Sequence, residues 1–464
     1  MHKLITTLLF ATALLTAQVD YAQTKTTSSY PIKVSVPVRP AKQHDVINLT
    51  TPKMDVVRVG VIGLGMRGST TLEVISHVPG IKIVALCDLH ADSIASAQKT
   101  LQRAGLPQAA SYVGEYAYKK LCERSDIDLV YVITDWIHHT PIAVYAMEHG
   151  KNVAIEVPAA TSLNEIWQLI NTSEKTRKHC MMLENCVYDF FEATTLNMAQ
   201  HGLFGEVLHV EGSYCHNLDE VWPLYWNNWR LDFNQRYRGD VYPTHGIGPD
   251  CQLLDIHRGD KMDYLVSMDT KSVNGYKHVK ELTGKETNDF QNGDETSTLI
   301  RTQKGKTILI EHDVMTPRPY SRMYQVVGTD GYASKYPSEQ FCFRVGSLKS
   351  KVNYQNLEMH VAIPDSVRDN LLQKYEPDFI KELEATAKKV GGHGGMDYIL
   401  NYRLIYCLRN GLPLDMDVYD MAEWCCIGEL SRISIEHHSV PVEIPDFTRG
   451  AWNKIKGFKY AFAK

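Results

Sequence analysis

Runs of positive charge, paired cysteine motifs and bilayer-length apolar stretches are all scarce in this sequence. With 49 Lys and Arg against 54 Asp and Glu, the formal net charge is −5 and no long basic run occurs. That argues against a nucleic-acid groove or an anionic-membrane patch and suits a small, weakly charged ligand. The ten cysteines show no CxxC pair and no zinc-ligand spacing. Several sit in apolar runs, such as Cys87 in IVALCD, and read as small buried hydrophobes with room for one or two bridges. Residues 4–17, the longest apolar stretch near the N-terminus, are too few to span a bilayer comfortably. Internal repeats are absent, and so is any low-complexity tract beyond residues 23–55.

Residues 1–22, MHKLITTLLFATALLTAQVDYA, carry Lys3, an apolar core and small residues at Ala17 and Ala22. This is the pattern of a secretory signal peptide, and it predicts transfer across an inner membrane into a periplasm. No twin-arginine pair precedes the core and no lipid-attachment cysteine follows it. Residues 23–55, rich in Thr, Ser, Pro and Lys, predict a linker or extended arm.

From Val56 the pattern becomes strand, helix, strand. VVRVGVI, IKIVALCD, IDLVYVIT and NVAIEVP are continuous apolar runs of the kind buried on both faces of a parallel sheet, with helical stretches between them. Beyond about residue 200, GEVLHVEGSY, YLVSMDTKSV, ETSTLIRTQKGKTILIEHD and YSRMYQVVGT predict strands joined by hairpin-type turns. The predicted fold is α/β: a doubly wound parallel Rossmann sheet over 56–180, then an α+β domain over 181–464 with a large, mainly antiparallel sheet. The C-terminal helices are free to pack back on the first domain.

Gly63, Gly65 and Gly68 form G-x-G-x-x-G directly after the first strand, and Asp88 closes the second. In that context the first glycine makes the tight turn, the second lets backbone approach a pyrophosphate, and the third lets helix and strand pack. The helix start offers free N–H groups to phosphate, and a carboxylate at Asp88 accepts from ribose hydroxyls and repels a 2′-phosphate. The reading is an NAD site. Further contacts belong at the carboxyl ends of later strands, which selects Trp136, His139, Glu156 and Val157.

The stretch GDVYPTHGIGPD places Tyr242 and His245 three apart, a pairing suited to proton transfer. Trp222, Trp226 and Trp229 cluster in VWPLYWNNWR, where they serve either a sugar face or the core. His393 reads as a helix entry. His138 and His139 are adjacent on a helix and do not converge on an ion, so no metal is predicted.

Taken together, these segments resemble the glucose–fructose oxidoreductase and inositol dehydrogenase superfamily. Most members carry Glu-Lys-Pro where this chain has Glu156-Val157-Pro158, and an aspartate and histidine where it has Thr244 and Gly248. GLGMRGS, EVP, LENCVYDFFE, YPTHGIGP, TPRPYSR, GHGGMDY and PDFTRG more closely resemble glycoside hydrolase family 109, whose members are NAD-dependent α-N-acetylgalactosaminidases. The resemblance implies cofactor contacts from Met66, Arg67, Asp88, Trp136, His139, Glu156, Val157 and Asn185. It implies sugar contacts from Tyr214, Arg230, Tyr320 and the run Tyr242, Pro243, Thr244, His245. It also implies oxidation at carbon 3, elimination across carbons 1 and 2, water addition and re-reduction. His245 is expected to act as a base. Tyr242 or Tyr188 is expected to hold sugar oxygens or pass protons, its pKa lowered by the positive nicotinamide, and Arg230 to stabilise an enolate. The alternatives are a net NAD-dependent sugar oxidoreductase and a non-catalytic carbohydrate-binding protein. A homo-oligomer through the C-terminal sheet is a further expectation.

Overall fold

The structure, a computed structural model, describes residues 30–344 and 361–458. The predicted signal peptide lies outside the described residues. The first domain runs β1 (Val57–Ile62), α1 (Met66–Ile75), β2 (Ile81–Asp88), α2 (Ala91–Arg103), β3 (Ala110–Val113), α3 (Ala117–Cys122), β4 (Leu129–Val132), α4 (Trp136–Glu148), β5 (Asn152–Ile155), α5 (Leu163–Thr176) and β6 (Cys180–Met182). Its six strands lie in the order β3-β2-β1-β4-β5-β6, every pair parallel. Val59, Val61, Val130, Val132, Val153 and Ile155 are fully buried, because helices cover both faces. The sheet runs to Met182, two residues past the boundary drawn from sequence.

The second domain contains α6 (Phe190–Gln200), β7 (Val207–Cys215), α7 (Trp229–Arg236), α8 (Thr244–Leu253), β8 (Met262–Asp269), α9 (Asn274–Thr283), β9 (Thr296–Thr302), β10 (Thr307–Asp313), β11 (Ser321–Gly328), β12 (Gly331–Ser334) and β13 (Gln340–Phe343). After these come α10 (Asp365–Tyr375), α11 (Asp378–Val390), α12 (Met396–Asn410), α13 (Val418–Glu436) and β14 (Val442–Glu443). The eight strands lie in the order β13-β12-β11-β7-β10-β9-β8-β14. All pairs are antiparallel except the central β7–β10 pair, which is parallel. The sheet is therefore mixed at its centre. The long excursion from Cys215 to Met262, which carries α7 and α8, brings the chain back at β8, next to the edge strand β14, and the β8–β9–β10 meander then returns to β7.

The C-terminal helices do pack back: α12 lies on α1, and α13 lies between β8 and α5. Residues 30–55 form a seated arm. Ile32 exchanges backbone hydrogen bonds with Pro441 and Glu443 beside β14. Arg39 grips the buried Glu174 of α5 with two bonds, and the buried Val46 donates its N–H to Tyr419 of α13. All ten cysteines are free thiols and nine are buried, which fits their reading as small hydrophobes. Among the described residues no helix is long and apolar enough to cross a membrane.

Candidate active site

The three fingerprint glycines have separable roles. A Cβ on Gly63, at φ +90°, would stand 2.2 Å from the Ile133 carbonyl oxygen, and one on Gly68 would stand 2.1 Å from that of Gly63. Only glycine permits those approaches. A Cβ on Gly65 would meet nothing within 4 Å, so the open side of the turn faces a space of the kind a pyrophosphate fills. Gly65 also caps α1 without a side chain, and no acidic residue lies in the first turn. The helix therefore presents free N–H groups to an anion. Asp88 accepts the Leu64 N–H (2.7 Å) on one oxygen and the His90 N–H (2.8 Å) on the other. This fixes the carboxylate at the strand end and leaves lone pairs for ribose hydroxyls. The residues fit NAD.

Beyond β5, Glu156 accepts its neighbour Val157's N–H (2.8 Å) on one oxygen and Arg67 on the other. Arg67 also donates to both oxygens of Asp397 (2.7 and 3.3 Å). Asn185 Nδ2 donates to Asp397 as well (2.7 Å), and His393 Nδ1 lies 2.9 Å from it. Burial pushes the Asp397 carboxyl up, yet Arg67 and His393 together hold it well below the usual range. Arg67, Glu156 and Asn185, each expected as a cofactor contact, are thus brought together around a carboxylate that sequence reasoning did not single out. Asp397 stands in the GHGGMDY motif, 330 residues from Arg67, and that motif was the only signal for it. Met66 is exposed at the start of α1 and Val157 is buried at the end of β5.

His139 is buried, with Nδ1 2.8 Å from the Pro158 carbonyl and Nε2 3.0 Å from that of Thr134. Its single N–H donates to one of these two carbonyls, and the buried ring ties together the loops that follow β4 and β5. The neighbouring His138 lies 2.6 Å from Asp135.

Trp136 joins the two halves of the site. Its ring stacks on Tyr242 (centroids 5.5 Å apart, planes at 21°) and meets Trp229 and Phe233 edge-on. Tyr242 and His245 are held against the sheet by glycines. A Cβ on Gly246 of α8 would lie 2.5 Å from Ser213 N, and one on Gly212 of β7 2.7 Å from the Gly246 oxygen. Helix and strand therefore touch backbone to backbone, one residue after His245.

His245 Nδ1 lies 2.7 Å from Glu184 Oε1, and Nε2 lies 3.2 Å from the Tyr242 hydroxyl. Glu184 is fully buried. Burial raises its carboxyl, but the His245 ring and hydrogen bonds to His245 and the Cys186 N–H bring the net pKa below the ordinary value. An ionised Glu184 fixes the imidazole with its proton on Nδ1, leaving the Nε2 lone pair toward Tyr242. Sequence reasoning missed Glu184. It lies 61 residues from His245, inside the quoted LENCVYDFFE.

A second tyrosine–histidine pair lies across the site: the Tyr214 hydroxyl is 2.8 Å from His216 Nδ1, and its ring lies 4.6 Å from that of Tyr242. Burial and the charge of Arg230 push His216 down to about 4, so it is neutral near pH 7. Tyr320 is part-exposed at the rim, edge-on to His216, with its hydroxyl accepting from Arg322. The buried Arg230 guanidinium lies 4.7 to 5.9 Å from the ring centres of Tyr242, Trp136, Tyr225 and Tyr214, and donates to the Tyr225 hydroxyl. Its Nε has no partner, and among the described residues no carboxylate pairs with it.

Two expectations need correction. Tyr188 is fully buried and bonds Asp415 (3.0 Å), which Arg403 also grips, so its hydroxyl serves that ion pair and not a sugar. Pro243 and Thr244 begin α8, and Thr244 has no exposed surface, so this pair builds the helix start. The protein's own groups hold the phenols high, before any contribution from a nicotinamide charge. Burial pushes Tyr214 up to about 12 and Tyr242 well above its ordinary value, with Arg230 only partly offsetting. The two tyrosines therefore keep their protons at neutral pH. Of the three tryptophans, Trp222 is core, Trp229 flanks Trp136, and Trp226 is exposed.

Residues 57–184 match the family described as "Oxidoreductase family, NAD-binding Rossmann fold", and residues 188–454 match "Glycosyl hydrolase 109, C-terminal domain". "Glycosyl hydrolase family 109 protein 1" of Bacteroides fragilis is 70% identical over 437 residues, 94% of each chain. The protein of the same description from Bacteroides thetaiotaomicron is 65% identical over 467 residues, the full length of both. Among solved structures, a levoglucosan dehydrogenase in complex with NADH and L-sorbose superposes with a TM-score of 0.61. At 18% identity, it covers 84% of this chain and all of its own. That likeness establishes a shared fold.

Proposed function

The chain belongs to glycosyl hydrolase family 109 and is an NAD-binding glycoside hydrolase, and from that premise we propose that it hydrolyses terminal α-N-acetylgalactosaminides through a transient ketone. The observation that carries the reading is the Glu184–His245–Tyr242 chain, whose tyrosine stacks on Trp136 beside the dinucleotide crevice. When bound, NAD⁺ supplies a reversible acceptor for the hydride on carbon 3 of the sugar.

This chain's own residues handle the protons. One base takes the carbon 3 hydroxyl proton as the hydride leaves. The resulting ketone acidifies the hydrogen on carbon 2, and a second base removes it. The aglycone then departs from carbon 1 with a proton. Water adds to the double bond, carbon 2 regains its proton, and the ketone is reduced back to the alcohol. Glycoside and water give sugar and alcohol, with no net redox change. His245, oriented by Glu184, serves one of the two deprotonations, and the Tyr214–His216 pair lies where it can serve the other. Arg230, a buried cation without a carboxylate, stabilises the enolate formed between them. A cycle that returns its hydride needs no outside nicotinamide pool, and this is compatible with the export predicted from residues 1–22.

The test is cleavage of a nitrophenyl α-N-acetylgalactosaminide by the purified protein without added NAD⁺. The reading expects release of nitrophenol, no build-up of NADH, and deuterium at carbon 2 of the product when the solvent is D₂O. Steady NADH formation with no carbon 2 exchange would instead make the protein a net sugar oxidoreductase.

A further inference from the structure

Trp226 plays no part in the chemistry just described, yet it is 58% exposed and placed by unusual backbone. Asn227 (φ 50°) and Asn228 (φ 52°) are consecutive left-handed residues, a conformation that asparagine tolerates better than most. They turn Trp226 away from its neighbours. Tyr225 and Trp229 face inward, edge-on to each other, and Trp229 meets Trp136. Trp226 faces outward and across the domain boundary, its ring 5.1 Å from that of His90. His90 is fixed two residues after Asp88 by the hydrogen bond between them. The carboxylate at that strand end is the ribose-binding position of a Rossmann site, so the residues just after it flank the adenine. Leu89 and Met66, at the ends of the β2 and β1 turns, are also exposed. The Trp226–His90 pair thus spans the two domains one turn from the ribose-binding carboxylate, with the Trp226 ring left open to solvent on its other side.

We propose that Trp226 and His90 form a clasp over the adenosine end of the dinucleotide, holding it through successive turnovers. The clasp rests on the recycled-cofactor reading for its use but not for its existence. An oxidoreductase that exchanges its nucleotide every cycle gains nothing from slow release, whereas an enzyme that returns its hydride loses a catalytic cycle each time the nucleotide leaves. Because the same loop carries Tyr225 and leads directly into Arg230, nucleotide retention and the sugar site share one segment.

The experiment compares the parent protein with Trp226→Ala and Trp226→Phe. Each is loaded with NAD⁺, desalted and mixed with excess isotopically labelled NAD⁺, and exchange is followed by mass spectrometry. Stacking on a nucleobase predicts at least about fivefold faster exchange in Trp226→Ala and near-parental exchange in Trp226→Phe. Calorimetric binding of nicotinamide mononucleotide, which lacks the adenosine, is expected to be equal in all three. Exchange accelerated by less than about fivefold, or equal weakening of nicotinamide mononucleotide, would overturn the clasp. Thermal melting of the nucleotide-free proteins checks that the exposed substitution leaves the fold intact. Glycoside cleavage by nucleotide-stripped parent protein would instead sink the functional reading, and the exchange rates would still decide the clasp.

Discussion

Two arginines flank the site, Arg67 partly exposed and Arg230 buried, and the protein treats them in opposite ways. Arg67 stands between Glu156 and Asp397, with both of its charged partners nearly inaccessible. Among the described residues Arg230 has four aromatic rings and a tyrosine hydroxyl for company and no carboxylate. Burial works against both cations, and in both the surroundings still hold the guanidinium above its ordinary pKa. In the first case full negative charges do this, and in the second only phenol oxygens and ring faces. A fully paired cation is a fastener: it ties α1 of the first domain to α12 of the second. A cation left short of negative charge meets its complement only when the substrate develops it.

The largest expected effect falls on the fastener. Arg67→Met strands two buried carboxylates and should cost about 3 kcal/mol, the low end for a broken buried pair because Arg67 is partly exposed. Urea unfolding measures it, and adding Asp397→Asn should restore part of the loss. Arg230→Met should behave differently: kcat falls by roughly 10²–10³, while the unfolding midpoint stays put or rises. If Arg230→Met unfolds as readily as Arg67→Met, the contrast fails. A smaller effect sharpens the same comparison from the acidic side. Asp240 is fully buried, and burial pushes its carboxyl up to about 7, with the Tyr242 backbone N–H only partly offsetting. A raised carboxyl stabilises the fold in full below its unfolded pKa near 4 and loses that contribution as pH climbs through 7. Asp240→Asn should therefore gain stability over the parent at pH 8 and match it near pH 4, as thermal melts of the pair at both values would reveal.

The fold was legible where burial writes continuous patterns. VRVGVI and IKIVALCD, apolar on both faces, announced β1 and β2 to within a residue or two. The four-residue β3 and three-residue β6 are edge strands too short to carry a period, and both were missed. The helix α4, on which His138 and His139 were expected, begins at Trp136 because Asp135 caps it by accepting from His138 N–H. In the site, the glycine fingerprint was legible because each glycine meets a local backbone demand. The carboxylates Glu184 and Asp397 were not, because their meaning comes from partners 61 and 330 positions away. Tyr188 was misplaced for the same reason: its partner Asp415 is 227 residues downstream.

The seated arm also sets an order of events. Ile32 completes its backbone bonding only with Pro441 and Glu443, and Arg449 returns to bond the Pro37 carbonyl and Glu174. Synthesis delivers the arm first and its partners more than 400 residues later. The seam between residues 32–37 and residues 441–449 cannot close until the later segment has been made, so the arm stays open through most of synthesis.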